Sequence, residues 1–340
     1  MSKKVTIVIP VYNLENYIVK CLESIKNQTY TNYEVFIIND GSTDKSERII
    51  SAFIRDNKLK NCFLISRENK GLSSARNLGI ELAKGELITF IDGDDFVEPD
   101  YLRSMCVMLE KTSSELCYCG YRAFYEDNGV TEDWSEFSDC FGKLPDNLDK
   151  LCSFGYVWGH IYNMDIIAKN HIRFDENIYC EDLAFNLDYN SLISSFCSVG
   201  NVQYTYRVNR QGALTTKVVH PCEKKRLSVH MEHFRSSIGT EKLIQAMQSN
   251  IRISRVMWNW LYTESINEIL DGNAKEVREK SKNKFSKVIL STYVPRSRKE
   301  RLFLFLWKRN FNILVLLIKI YYANFEQLRR SKLGRFMSRE

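Results

Sequence analysis

Several common classes of protein are excluded by what this chain lacks. Its ten cysteines include no C-x-x-C pair and no histidine spacing suited to zinc, Cys117-Tyr118-Cys119 being the nearest approach. The opening MSKKVTIVIPVYN has two lysines but only a short apolar stretch, broken by Pro10 and followed by Asn13 and Glu15, so it offers neither the h-region nor the cleavage site of a secretory leader. Thiols scattered in this way are expected to be buried and reduced, in a cytoplasmic setting. No apolar run approaches the ~20 residues needed to span a bilayer. No G-x-G-x-x-G follows the first apolar segment, which argues against a dinucleotide-dependent dehydrogenase. A basic excess is missing from the body: of the net +6, the stretch from Arg296 to the end holds 12 Lys+Arg against 3 Asp+Glu, a local +9, which leaves the rest at −3. The body is therefore no nucleic-acid binder by charge.

What is present is a globular composition, 44% hydrophobic and 26% charged over 340 residues, enough for a substantial core in one large domain with an appendage or in two domains. The first hundred residues alternate. Lys4–Val11 is apolar and β-branched, as a buried parallel strand would be. Glu15–Gln28 spaces Ile18, Cys21, Leu22 and Ile25 for one helical face. Tyr33–Ile38 predicts a second strand, and Asp44-Lys-Ser-Glu47 predicts a capping box opening a helix through Phe53. Asn61–Ser66, Gly71–Lys84 and Leu87–Ile91 continue as strand, helix (Leu72, Ala75, Leu78, Gly79 and Leu82 inward) and strand. Such repeats imply a parallel sheet with helices on both faces, and ligands then bind at the carboxyl ends of the strands.

Each predicted strand ends in polar residues: Pro10, Val11, Tyr12 and Asn13; then Asn39-Asp40-Gly41-Ser42; then Arg67-Glu68-Asn69; then Asp92-Gly93-Asp94-Asp95. For Asp40-Gly41 alone a turn is sufficient explanation. Three carboxylates within four residues are different, since without a neighbouring cationic cluster they repel. A divalent ion relieves that cost, and hard oxygen ligands suit Mg²⁺ or Mn²⁺, ions that bridge to phosphates. Gly93 lets the backbone turn tightly enough for neighbouring carboxylates to face one ion.

These segments, together with Glu68-Asn-Lys-Gly-Leu-Ser-Ser-Ala-Arg76-Asn-Leu-Gly79, resemble in order and spacing the family-2 glycosyltransferases of the GT-A fold, of the bacterial cell-surface polysaccharide type. The resemblance continues through Val157-Trp158-Gly-His160-Ile-Tyr162, Arg173-Phe-Asp-Glu-Asn-Ile-Tyr-Cys-Glu181-Asp182 and Tyr204-Thr-Tyr206-Arg207, about two-thirds of the chain. It implies a Rossmann-like, mostly parallel sheet in a catalytic domain over residues 1–220, with a nucleotide-sugar half (about 1–100) and an acceptor half (about 101–220). A helical extension (221–295) and a basic amphipathic tail (296–340) would follow. It also implies transfer of a sugar from a nucleotide-diphosphate sugar, UDP by family habit, to an acceptor hydroxyl on a saccharide, lipid-linked or part of a growing surface polysaccharide.

Site roles follow from the same resemblance. Asp40 would accept from the base, with Pro10–Asn13 along base and ribose. Arg76 would support that face by pairing with Asp40 or a phosphate. Asp92 and Asp94 would hold Mn²⁺ or Mg²⁺, Asp94 as the more direct ligand, with Asp95 behind them. Glu181 and Asp182 precede an apolar helix-like run, where on chemistry alone helix capping and general-base duty stand equal. The resemblance favours Asp182 as the base, with Glu181 beside it, and a single base implies inversion. Trp158 and His160 would lie near the acceptor, although a lysine usual in the family is here His160, which reads equally as a structural replacement. His220 is open to two readings, a late metal ligand or a loop residue before Pro221. His230 and His233 read as a solvated helix face.

Helices are expected over Asn250–Leu270, with Trp258 and Trp260, and over Ala274–Leu290. In the tail, cationic blocks alternate with Leu302–Trp307 and Asn310–Ile318. With Trp307, Tyr321 and Tyr322 these suit a helix in an anionic membrane interface, peripheral on the inner face of the cytoplasmic membrane; closure onto the body is the other reading. Two competing functions are a nucleotide-sugar- or glycan-binding protein without turnover, which Asp94 and Asp182 argue against, and a nucleotidyltransferase. The latter would need a Gly-rich, cationic triphosphate loop that Pro10–Asn13 does not supply.

Overall fold

The structure, a computed structural model, describes residues 2–134, 139–147, 155–176, 178, 181–208, 210, 227–249, 257–258, 261, 265, 269, 272–280, 286–287, 289–290, 298–309 and 311–318. The readings placed on His220, Trp260, Tyr321 and Tyr322 lie outside the described residues, as does the side chain of His233. Contacts divide the chain into two compact units, Met1–Val219 with Val229–Gly239, and His220–Ser228 with Thr240–Glu340.

The first unit begins with the expected alternation: β1 (Val5–Val11), α1 (Ile18–Lys26), β2 (Tyr33–Asp40), α2 (Ser46–Asp56), β3 (Cys62–Arg67), α3 (Leu72–Leu82) and β4 (Leu87–Phe90). These four strands are parallel in the order β3-β2-β1-β4. Every residue of β1 is buried, as a strand covered on both faces requires. Strand alternation sorts its side chains. Val5, Ile7, Ile9 and Val11 join one core with Val35, Ile37, Ile50 and the α1 residues Ile18, Cys21, Leu22 and Ile25. Phe36 and Ile38 of β2 face the other way, onto Ala75 of α3. On that side α3 comes so close that a Cβ on Gly79 would lie 2.3 Å from Val8 Cγ1.

Beyond β4 the sheet becomes mixed. It adds β5 (Phe96–Val97), β6 (Leu116–Tyr125), β7 (Thr131–Trp134), β8 (Cys140–Lys143), β9 (His160–Asn163) and β10 (Ser195–Val208), in the order β4-β9-β6-β10-β5 with β7 beside β6 and β8 beside β10. The helices are α4 (Tyr101–Thr112), α5 (Met164–Lys169), α6 (Glu181–Asn190) and α7 (Leu227–Ile238). Of these strands the sequence marked only Tyr204–Arg207. β6 and β10 pair in parallel across about 80 residues of chain, with register shifts at Val199, Val202 and Tyr204 that break the period-2 pattern.

Two local expectations are corrected. α1 begins at Ile18 rather than Glu15: residues 15–17 form a turn in which the Tyr17 and Ile18 N–H groups both bond the Leu14 carbonyl. The capping box at Asp44–Glu47 does not form. Asp44 Oδ1 accepts the Ser46 N–H (2.9 Å), but Glu47 turns away to Ser66 (2.8 Å) and Asn39 (3.3 Å), polar groups at the ends of β3 and β2. His230 on α7 is not a solvated residue either; its Nδ1 lies 2.8 Å from Asp188 on α6.

In the second unit the described helices include α8 (Thr240–Ser249), α9 (Ala274–Lys280) and α10 (Arg298–Arg309), with residues 311–318 also helical. The tail helix has two faces. Phe303 packs edge-on to Trp258 with centroids 5.7 Å apart, and Trp307 and Phe311 continue the contact. Leu302, Phe305, Ile313, Leu316 and Leu317 are exposed. No helix among the described residues is long and apolar enough to cross a membrane. The cysteines described are all unpaired thiols, five of them buried.

Candidate active site

The parallel strands carry their polar ends to one edge, and two of those ends are locked together. Asn13, in the left-handed region at φ 53°, donates its N–H to Ser42 Oγ (3.0 Å), Leu14 N–H to Ser46 Oγ (2.8 Å) and Glu15 N–H to Asp44 Oδ2 (2.9 Å). In return Thr43 and Lys45 donate backbone N–H groups to Asn13 Oδ1 (2.8 Å) and Glu15 Oε2 (3.0 Å). The loops after β1 and β2 are thus fixed by each other, with Tyr12 left half exposed. Asp40 is buried at the end of β2 and accepts from Arg67 Nε (2.8 Å) and from the backbone N–H groups of Lys70 (3.1 Å) and Gly71 (2.7 Å). Arg67, not Arg76, is its cationic partner.

The acidic turn after β4 brings carboxylate oxygens of Asp92, Asp94 and Asp95 within 4.8 Å of one another. Gly93 lets this turn lie against the end of β1, since a Cβ there would meet Leu14 Cδ1 at 2.8 Å and the Pro10 carbonyl at 3.1 Å. These acids have no cationic neighbour nearby in the sequence; in the fold two arginines pair with their carboxylates and a third binds the backbone of the turn. Arg76 Nη2 donates to Asp92 Oδ1 (2.9 Å), Arg210 Nε pairs with Asp94 Oδ2, and Arg207 donates Nε to the Asp94 carbonyl (2.9 Å) and its backbone N–H to Asp95 Oδ1 (2.8 Å). Asp95 also accepts from Tyr204 Oη (2.7 Å). Burial, then the two neighbouring carboxylates, push Asp95 well above the usual carboxylate range. Burial and Asp92 push Asp94 up, against the pull of Arg210. Asp92 and Asp94 are the more accessible pair, and their hard oxygens fit Mg²⁺ or Mn²⁺; Asp95 is spent on holding Tyr204 and Arg207.

Arg76 reaches from α3 to the start of α6. Its Nη1 pairs with Asp182 and, at 3.1 Å, with Glu181, so one guanidinium, 1% exposed, joins the acidic turn to the acid pair that opens α6. Removing a charge from such a set leaves buried ions uncompensated, at about 3–5 kcal/mol. Asp182 is pushed up to about 7, first by burial, with Glu181 and Asp92 adding to the rise and Arg76 opposing it. Its side chain is still 18% exposed, so a ligand can meet it.

Trp158 lies between the parallel rings of Tyr156 (3.9 Å) and Tyr204 (4.7 Å). His160 is a core residue: it is 1% exposed, its Nδ1 meets the Trp158 carbonyl at 2.7 Å, and burial pushes it down to about 4, hence neutral. An acceptor cannot reach it without opening the sheet. Arg210 escaped the sequence reading altogether, and Arg207 entered only as part of a strand; their contacts with Asp94 and Asp95 span more than 110 residues, and one arginine near the end of β10 with another just past it is the sole local signal.

The sequence pattern of glycosyl transferase family 2 matches residues 6–169. An uncharacterized glycosyltransferase of Haemophilus influenzae is 31% identical over 235 residues, covering 65% of this chain and 89% of that one. The chain belongs to glycosyltransferase family 2. EpsH of Bacillus subtilis is 36% identical over 214 residues, 60% of this chain, and GlyA of Streptococcus pneumoniae, a glycosyltransferase by name, 33% over 227, 63% of this chain. The family-2 chain spans 61% and 32% of those two relatives' own lengths. In structure it is similar to residues 1–349 of Staphylococcus aureus TarS in complex with UDP-GlcNAc, with a TM-score of 0.65 over 94% of this chain and 92% of that one, at 17% identity. The fold is GT-A.

Proposed function

We propose that the chain is an inverting glycosyltransferase that moves a sugar from a UDP-sugar to a hydroxyl of a growing, lipid-linked surface polysaccharide. The observation that carries this reading is the joining of two acidic sites by Arg76: a carboxylate turn suited to a metal-bound diphosphate, and Asp182, a carboxyl poised near neutrality. Direct displacement needs both, a stabilised leaving group and a base for the incoming hydroxyl. The UDP and UDP-GlcNAc complexes of TarS favour a uridine donor.

Asp40 accepts from the base and Tyr12 lies along it, on an edge that Asn13 and Ser42 have already fixed. Asp92 and Asp94 would hold Mn²⁺ or Mg²⁺, which when bound supplies Lewis-acid stabilisation to the departing diphosphate. Asp95 keeps Tyr204 and Arg207 in place beneath them. Asp182 takes the proton of the acceptor hydroxyl, and Glu181 orients that acceptor. One base and no covalent intermediate give inversion. In this reading residues 1–100 serve the donor and 101–220 the acceptor. Residues 221–295 form a helical extension, and 296–340 hold the enzyme on the inner face of the cytoplasmic membrane through the exposed apolar face of α10 and the +9 of the tail.

The test is release of UDP from a panel of UDP-sugars with Mn²⁺, followed by NMR of the product. Release should cease in excess chelator and return with Mn²⁺ or Mg²⁺, and an α-linked donor should give a β-linked product. Asp94→Asn should keep its melting temperature and lose metal-dependent UDP binding. Pyrophosphate release from UTP and a sugar 1-phosphate would mean a nucleotidyltransferase, binding of UDP-sugar without release a non-catalytic protein, and retention of configuration would remove Asp182 as the base.

A further inference from the structure

Asn77 follows Arg76 on α3, and the two grip one stretch of chain. Asn77 Nδ2 donates to the Phe174 carbonyl (2.9 Å) and to Glu176 Oε1 (3.2 Å), while its Oδ1 accepts the Phe174 N–H (2.8 Å). This amide clasp holds the segment leading toward α6. The Arg76 guanidinium lies 5.2 Å over the Phe174 ring and forks beyond it, one nitrogen to Glu181 and Asp182, the other to Asp92. If attachment of α3 to this segment were the only requirement, apolar side chains would achieve it without the desolvation of a buried cation. A guanidinium offers instead two ends at a fixed angle, which a lysine ammonium does not.

We infer that Arg76 and Asn77 are positioning residues for the base: Asn77 fixes the approach to α6, and Arg76 sets the carboxyl of Asp182 relative to Asp92. Neither touches the reacting atoms; both act through Asp182. The inference rests on the transferase reading above, and it assigns to α3 the task of keeping the acceptor's base in line with the donor's leaving group.

The full chain tests it through kcat for UDP release, the donor KM, calorimetric binding of Mn²⁺–UDP, and the melting temperature. Arg76→Lys keeps the charge and loses the fork; kcat should fall by roughly 10²-fold, with much smaller changes in donor KM and Mn²⁺–UDP binding, because Arg76 also meets Asp92. Asn77→Leu, nearly isosteric, should lower kcat in the same selective way, and it carries the test if Arg76→Lys does not fold. The deciding measurement is non-additivity: adding either substitution to Asp182→Asn should cost no further rate, because the base they position is already gone. A merely structural role would instead multiply the losses, raise KM and weaken Mn²⁺–UDP binding, and that pattern, or an unchanged kcat, overturns the inference alone. A wild-type chain that releases no UDP from any donor overturns the transferase reading and this inference with it.

Discussion

Asp182 makes the site sensitive to pH in two ways. Its carboxyl, pushed up to about 7, must lose its proton to act as a base, so kcat should fall about tenfold per unit below that value; Asp182→Asn should abolish this slope along with the rate. Stability moves in the opposite direction. Between the unfolded carboxyl's value of about 3.9 and about 7 the folded state holds a proton that the unfolded chain has released, so stability declines as pH rises through that window. Thermal melts of the wild type and Asp182→Asn across it should show the decline in the wild type alone. At this scale the sequence was legible where chemistry is local. Asp92, Gly93, Asp94 and Asp95 sit in one turn and announce themselves, and Asp40 closes a strand as expected. Arg76 was legible as important but not in its partners, because Glu181 and Asp182 lie more than 100 residues away and only packing selects them over Asp40.

The β1-to-β4 ladder was readable because each strand is a short apolar run closed by turn residues and each intervening helix has one apolar face. The second half of the sheet was not, because β6 and β10 are buried along much of their length and irregular in register, so neither period 2 nor flanking glycines mark them. α3 and β1 pack closely at Gly79. Gly79→Ala would set a Cβ 2.3 Å from Val8 Cγ1 and 2.6 Å from Cγ2. The better helix propensity of alanine gains about 1 kcal/mol, whereas overpacking against a central strand costs about 1–3 kcal/mol. We expect the clash to prevail, with a lower denaturation midpoint for Gly79→Ala, and a partial return in Gly79→Ala combined with Val8→Ala, which removes both methyl groups.

For the whole molecule, the tail is the segment on which two sequence readings meet. Alternating apolar and basic blocks suggested either a membrane face or closure onto the catalytic domain; α10 packs one face on Trp258 within its own unit and leaves Leu302 and Phe305 exposed on the other. Ending the chain near Tyr293 would strip Phe303 and Trp307 from Trp258, so truncation confounds the question. Surface substitutions separate it: Leu302, Phe305, Leu316 and Leu317 changed together to serine should leave the melting temperature intact and abolish co-sedimentation with anionic vesicles. Trp307→Ala should cost about 3–5 kcal/mol of stability. Wild-type binding should weaken at high ionic strength, each cation near the interface contributing about 1 kcal/mol. Equal sedimentation of wild type and serine variant would end the membrane reading. The position of Arg76 also bears on how the chain is made. During synthesis the donor edge emerges first, but the guanidinium at its centre waits for two of its three counter-anions until α6 has left the ribosome, 105 and 106 residues later. Until then, closing the early core around Arg76 means burying a cation with only Asp92 to meet it. The Arg76 side chain is therefore expected to stay solvated, and the packing around it incomplete, until α6 arrives.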